Sequence, residues 1–172
     1  MSFFSLTFFF LLFERMIEEG TSAECSLRTM VEEPNVDFDF GGSVVVNKVL
    51  LGSDALKDAF DELDWSSGYM TIIISPDEPF FRLSTTGPQG SCQVDLPKDA
   101  KVFEVFDCKE RQMFSFKLDL LKPCFKALKH ATKTQVRLNE KGILALRHMI
   151  TTEDKQTSFV DFLLLPTEEE EE

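Results

Sequence analysis

A chain of 172 residues with 43% hydrophobic content is long enough to bury one substantial core, so its length favours one domain plus extensions. Thirty Asp and Glu against 18 Lys and Arg give a formal net charge of -12, which excludes a protein that coats nucleic acid with its whole surface but leaves room for one basic face. Cys25, Cys92, Cys108 and Cys124 are scattered, with no C-x-x-C pair and no histidine at zinc-like spacing, so neither a metal site nor a cofactor is expected and the thiols read as reduced.

The N-terminal MSFFSLTFFFLLF is apolar from Phe3 to Phe13 apart from Ser5 and Thr7, like a signal-peptide core, and Thr21-Ser22-Ala23 loosely resembles a cleavage site. The basic stretch that normally precedes such a core is missing, however. The run is also short of the roughly 20 apolar residues that a bilayer of about 30 Å demands, so no membrane span is expected. An artefactual or alternative start is a further reading of residues 1–23, and the composition leaves it open.

ECSLRTM, 24–30, reads as a strand, and the acidic VEEPNVDFDFGGS after it reads as a linker. Domain-like order begins near Ser43. A strand over 44–51 leads to a helix over 54–63, for which Ser53 is a fair N-cap and Asp54 suits the positive end of the dipole; Leu56, Ala59, Phe60 and Leu63 form its buried face. Strands come next near 69–75, 80–85, 91–96, 102–107 and 113–118. A second helix lies in FKLDLLKPCFKALKHATK, with Pro123 placed near its start, where a missing N–H costs little. Strands near 133–138, 143–150 and 156–165 complete the order, and an acidic tail occupies 167–172.

The pattern of strand, helix and three strands thus occurs twice, which predicts an α+β domain with two helices on one face of antiparallel sheet. In the second helix Leu121, Phe125 and Leu128 fall on one face while Lys122, Lys126, Lys129 and Lys133 step along another. Such lysines ordinarily do no more than keep a helix wet. In so acidic a chain, though, a local cationic stripe stands against the general composition. His130 and His148 stand alone and read as structural. Asp37 and Asp39 share a strand face, but two-metal phosphodiester cleavage needs several carboxylates within about 4 Å of paired ions, and in this acidic linker the two read as solvated charge. No nucleophile and base pair or Gly-rich phosphate loop stands out.

AFDELDWSSGYMTIIISPDEPFFRLSTTGPQGSCQVDLPKD, then FKLDLLKPCFKALKHATKTQVRLNEKGILALRHMI and the ending FVDFLLLPTEEEEE, resemble the Rad-one family of DNA-damage checkpoint clamp subunits, within the PCNA-like ring clamps. The likeness runs from about Glu24. It implies a PCNA-like DNA-clamp domain over 44–166, preceded over 24–43 by the last strand of a first clamp domain and the interdomain connector, and it makes residues 1–23 a non-family segment, an artefactual or alternative start rather than a leader. Members of this family have two such domains per protomer, and three protomers close into a ring around duplex DNA.

The resemblance further implies a nuclear, non-catalytic subunit acting in checkpoint signalling and DNA repair. Its partners would be two other checkpoint clamp subunits in a heterotrimer, duplex DNA, a clamp loader, and checkpoint or repair proteins, with no membrane and no cofactor. A metal-dependent DNA exonuclease is the alternative. Clamp helices line the central hole, so Lys122, Lys126, Lys129 and Lys133 would meet phosphates, joined by Lys57 on a first helix that also carries Asp58, Asp61 and Glu62. Edge strands pair between subunits. Here the candidates are Ser91, Cys92, Gln93, Val94, Asp95 and Leu96, with Cys25, Ser26, Leu27 and Arg28 from the first-domain strand. Phe38 and Phe40, beside Leu164, Leu165 and Pro166, would border a groove for partner peptides, unless the phenylalanines simply pin the connector to the core.

Overall fold

The computed structural model describes residues 10–17, 21–28, 40, 42–88, 90–98, 101–152 and 154–167. They fall in two compact units, 1–38 and 39–172.

In the first unit β1 (Phe10–Ile17) pairs antiparallel with β2 (Thr21–Arg28), in a register running from Phe10↔Arg28 to Ile17↔Thr21. The strand expected from Glu24 thus begins three residues earlier, and Thr21-Ser22-Ala23, weighed as a cleavage site, lies within β2. Part of the Phe-rich run is β1, paired along its whole length with the strand from which its composition had set it apart.

The second unit runs β3 (Val45–Gly52), α1 (Ser53–Asp61), β4 (Tyr69–Ile74), β5 (Phe81–Gly87), β6 (Gly90–Leu96), β7 (Phe103–Cys108), β8 (Gln112–Lys117), α2 (Leu118–Leu128), β9 (Lys133–Asn139), β10 (Leu144–Thr151) and β11 (Thr157–Leu164). The twofold motif is present as β3-α1-β4-β5-β6 and β8-α2-β9-β10-β11. What the sequence does not reveal is how the two copies interlock. The strands form a five-stranded sheet, β11-β10-β9-β3-β7, and a four-stranded sheet, β6-β5-β4-β8. The first strand of each copy is therefore hydrogen-bonded into the sheet that holds the last three strands of the other.

Both helices are held by burial rather than by caps. α1 sinks Leu56, Ala59 and Phe60, at helical spacing, into a core that also takes Ile72 and Phe116 from the four-stranded sheet and Val136 and Leu144 from the five-stranded one. Ser53, expected as N-cap, is instead the first helical residue; Gly52 precedes it and makes no side-chain cap. The Ser53 hydroxyl is drawn inward to share a 2.8 Å hydrogen bond with Thr134, and its N–H donates to the Thr132 carbonyl at 3.1 Å, so tertiary partners take over the work of a cap.

Pro123, expected near the helix start, lies in the interior of α2, where its ring leaves the helical carbonyl of Asp119 without an i+4 donor. The buried Leu118, Leu121, Cys124 and Leu128 hold the helix despite that loss.

A buried polar link joins the two copies. Asn47 on β3 donates through Nδ2 to Gln112 Oε1 on β8 and to the Glu110 carbonyl, both at 2.9 Å, while Gln112 Nε2 donates to the Asn139 carbonyl at 2.9 Å. Asn47 and Gln112 are both buried, so removing one partner exacts a desolvation penalty from what remains. Gln112→Leu, close in volume but unable to bond either partner, is expected to lower the unfolding free energy by about 1 to 3 kcal/mol in urea denaturation.

Candidate nucleic-acid interface

α2 presents Lys122 and Lys126, with Lys129 as its C-cap, on the face opposite Leu121 and Leu128. Phe125, at the border of the two faces, sets the roll of the helix: its ring lies 4.0 Å from Phe60 of α1 and 4.5 Å, edge-on, from Trp65. The stripe therefore runs along exposed surface.

The five expected phosphate-binding lysines divide sharply once their partners are known. Lys122 Nζ donates to Asp119 Oδ1 at 2.6 Å, and that hydrogen bond holds the Asp119 carboxyl below its usual range. Lys57 is tied to Asp54 at 2.9 Å, and Lys133 to Glu104 at 2.8 Å. Lys126 and Lys129 make no ion pair among the described residues. The three pairs lie at the surface, where water screens them, so each is weak and a phosphate can displace it. On α1 Lys57 is outnumbered by Asp54, Asp58 and Asp61, whereas on α2 and its cap Lys122, Lys126 and Lys129 outnumber Asp119. Two helices in contact thus carry opposite charge.

β6 is an outermost strand, paired with β5 on one side. Cys92, Val94 and Leu96 are half-buried, while Ser91, Gln93 and Asp95 are exposed. Asp95 receives both Nε and Nη2 of Arg82, at 2.5 and 2.7 Å. Of the other expected edge, Cys25, Ser26, Leu27 and Arg28 face Phe13, Leu12, Leu11 and Phe10 across the β1–β2 ladder, so one side of that strand is occupied.

The expected peptide groove is not brought together as an open surface. Phe38, like Asp37 and Asp39, lies outside the described residues. Phe40 is buried with Ile143 and Ala145, its ring capped by the Arg137 guanidinium at 4.8 Å, so it pins the chain rather than lining a groove. Leu164 points into the core; Leu165 is exposed and Pro166 half-buried. Phe159, exposed like Leu163 on β11, is absent from the sequence expectation, although the alternation of that strand marks it. Arg147 covers Phe159 and holds Asp161 through two hydrogen bonds of 2.7 and 2.8 Å.

His148 is structural. It is buried, its Nδ1 lies 2.9 Å from the Thr134 hydroxyl that also bonds Ser53, and burial pushes its pKa down to about 4. Burial likewise pushes the Cys124 thiol up to about 12, which keeps it protonated and unreactive. No three or more His, Cys, Asp or Glu converge on a common metal position among the described residues. No helix among them is long and apolar enough to cross a membrane.

Residues 7–150 match the family described as repair protein Rad1/Rec1/Rad17. The chain belongs to the Rad1 family. Over 152 residues it is 43% identical to the cell cycle checkpoint protein RAD1 of Homo sapiens, covering 88% of this chain and 54% of that protein. It is 30% identical over 148 residues to the DNA damage checkpoint control protein rad1 of Schizosaccharomyces pombe, covering 86% of this chain and 46% of the relative. The chain therefore spans about half the length of these Rad1 relatives. The Rad1 match starts upstream of Glu24, where the motifs alone begin the likeness, and takes in both strands of the β1–β2 hairpin. The crystal structure of PCNA from Thermococcus kodakaraensis superposes with a TM-score of 0.65 over 92% of this chain and 61% of that one, at 16% identity, which establishes a PCNA-like fold.

The depressed His148 pKa makes Rad1-domain stability pH-dependent in a defined window. Above pH 6.5 the imidazole is neutral in both states; as pH falls toward 4 the unfolded chain takes up a proton that the folded one refuses, so stability is lost. Urea denaturation is expected to show this group removing about 2 kcal/mol between pH 7 and pH 5, and His148→Gln is expected to flatten that dependence.

Proposed function

We propose that this Rad1-family chain contributes one clamp domain to a DNA-damage checkpoint sliding clamp, a nuclear, non-catalytic assembly that encircles duplex DNA and recruits repair and checkpoint proteins. The observation that carries this reading is the unpaired Lys126–Lys129 stripe on α2, in a chain of net charge -12 with a PCNA-like fold. A lysine ammonium is a compact point charge on a flexible stem; it attracts backbone phosphate without reading bases, and so can hold a ring on DNA while letting it slide. Lys126 and Lys129 are the primary contacts. Lys122 and Lys133 join when phosphate displaces Asp119 and Glu104, and Lys57, among the aspartates of α1, contributes least.

β6 is the edge offered to a neighbouring subunit, with Ser91, Gln93 and Asp95 facing outward and unpaired backbone groups available for an added strand. Cys25 to Arg28 on β2 would serve a second neighbour, completing a heterotrimer with two other clamp subunits that is loaded by a clamp loader. Leu165 and Pro166, with Leu163 alongside, are the surface for partner peptides. Against the exonuclease alternative, the names of the family and its relatives speak of checkpoint and repair.

In clamp assemblies containing this chain, the Lys126→Ala/Lys129→Ala double variant is expected to lower the slope of log affinity for duplex DNA against log salt by about two units, roughly one for each phosphate no longer neutralised. Lys57→Ala should leave the slope nearly unchanged. Leu121→Ala, on the buried face of the same helix, should instead destabilise the fold by about 2 to 5 kcal/mol. An unchanged slope with unchanged affinity in the double variant would reduce the stripe to solvation. Magnesium-dependent DNA degradation that disappears in Asp37→Ala and Asp39→Ala variants would establish the exonuclease instead.

A further inference from the structure

Thr167 fastens the segment after β11 to the open edge of β8. Its backbone N–H and its hydroxyl both donate to the same acceptor, the Ser115 carbonyl, each at 2.7 Å. β8 is an outermost strand of the four-stranded sheet and its other side is paired with β4, so Thr167 carries the chain from an edge of one sheet to an edge of the other. Upstream the segment is anchored by Leu164, 6% exposed, whereas Leu165 is 49% exposed and Pro166 has no N–H to give. The clasp therefore depends on one carbonyl and two neutral hydrogen bonds.

Five consecutive glutamates, 168–172, come after Thr167 in the sequence. A hydroxyl with acid immediately C-terminal is the chemistry read by a Ser/Thr kinase whose substrate groove is lined by Lys and Arg. Other hydroxyls before acidic residues meet that requirement less well. Ser53, before Asp54, and Ser75, before Asp77 and Glu78, are buried, and the acidic pair after Thr151 and Thr152 ends at Lys155.

We propose that Thr167 is the phosphoacceptor of an acidophilic protein kinase and that its phosphorylation unfastens the segment from β8. The Thr167 Oγ1 attacks the γ-phosphorus of ATP; the new Oγ1–P bond forms as the bond to the bridging oxygen breaks, the hydroxyl proton passes to the kinase's carboxylate base, and ADP leaves. The kinase acts on the frayed form, which two neutral hydrogen bonds leave accessible. The product carries about -1.5 to -2 charge at pH 7 and has no side-chain proton to donate. Refastening would set phosphate oxygen against carbonyl oxygen, beside five like charges in sequence. The modified segment stays off, and the Ser115 carbonyl is left open to pairing by another strand.

The full chain, incubated with an acidophilic kinase and Mg-ATP, tests this directly. Fragmentation mass spectrometry is expected to place the phosphate on Thr167, with the modification abolished in Thr167→Ala, kept in Thr167→Ser and unaffected by Thr151→Ala/Thr152→Ala. Exchange of the Thr167 amide proton, tracked by NMR, is expected to be about tenfold or more faster in the phosphorylated chain, as loss of two hydrogen bonds requires. Phosphate found only on other residues, or none, would overturn the assignment. Modification at Thr167 with unchanged amide exchange, as would result if Lys117 captured the phosphate, would overturn the unfastening.

Discussion

Phe125 against Phe60 is the contact on which the rest of the arrangement turns. The rings meet at 4.0 Å, Trp65 closes on Phe125 from the edge at 4.5 Å, and the Trp65 indole N–H is anchored by the Phe60 carbonyl at 2.9 Å. Aromatic pairs of this kind add about 0.5 to 1.5 kcal/mol beyond the area they bury, but their geometric effect matters more. With Phe125 fixed at the border of the buried face, Lys126, roughly 100° further round α2, points outward, and Lys129 follows at the exposed C-cap. The direction of the cationic stripe is set by the packing of its apolar neighbour.

The interlocked sheets make that packing stable against sliding. Because β3 lies among β9 and β7, and β8 beside β4, neither copy of the motif can leave without unzipping a ladder in the other's sheet. Asn47 and Gln112 sit on these two exchanged strands and bond each other in the buried interior. A second polar chain, Ser53–Thr134–His148, ties the start of α1 to β9 and β10. Such links demand one geometry, because a shifted register would leave their donors and acceptors unpaired. His148 is buried, its ring 5.7 Å from that of Phe162, and that burial keeps the imidazole neutral.

Charge is organised just as sparingly. An acidic body disfavours a polyanion over most of its surface, and the short lysine stripe is a local exception to that field. The adjoining acidic α1 narrows that choice further. Surface ion pairs such as Lys122–Asp119 hold the neighbouring lysines in reserve rather than removing them, since in water their mutual attraction is small.

Periodicity in the sequence was sufficient for the elements of 44–166: Leu56, Ala59 and Phe60 mark α1 and Leu121 and Leu128 mark α2 because burial on one face imposes a spacing near 3.6. The lysine stripe was legible for the same reason. Ser53 looked like an N-cap and Pro123 like a first-turn residue because local rules cannot see Thr132, Thr134 or the core that overrode them. Only the tertiary structure decided which strands were exchanged, since alternation of apolar residues selects a face and not a neighbour. It also decided that Lys57, Lys122 and Lys133 meet carboxylates while Lys126 and Lys129 do not. Phe40, an exposed-looking aromatic in an acidic linker, became a pin for a related reason: its partners Ile143, Ala145 and Arg137 lie about a hundred residues away, and only folding brings them to it.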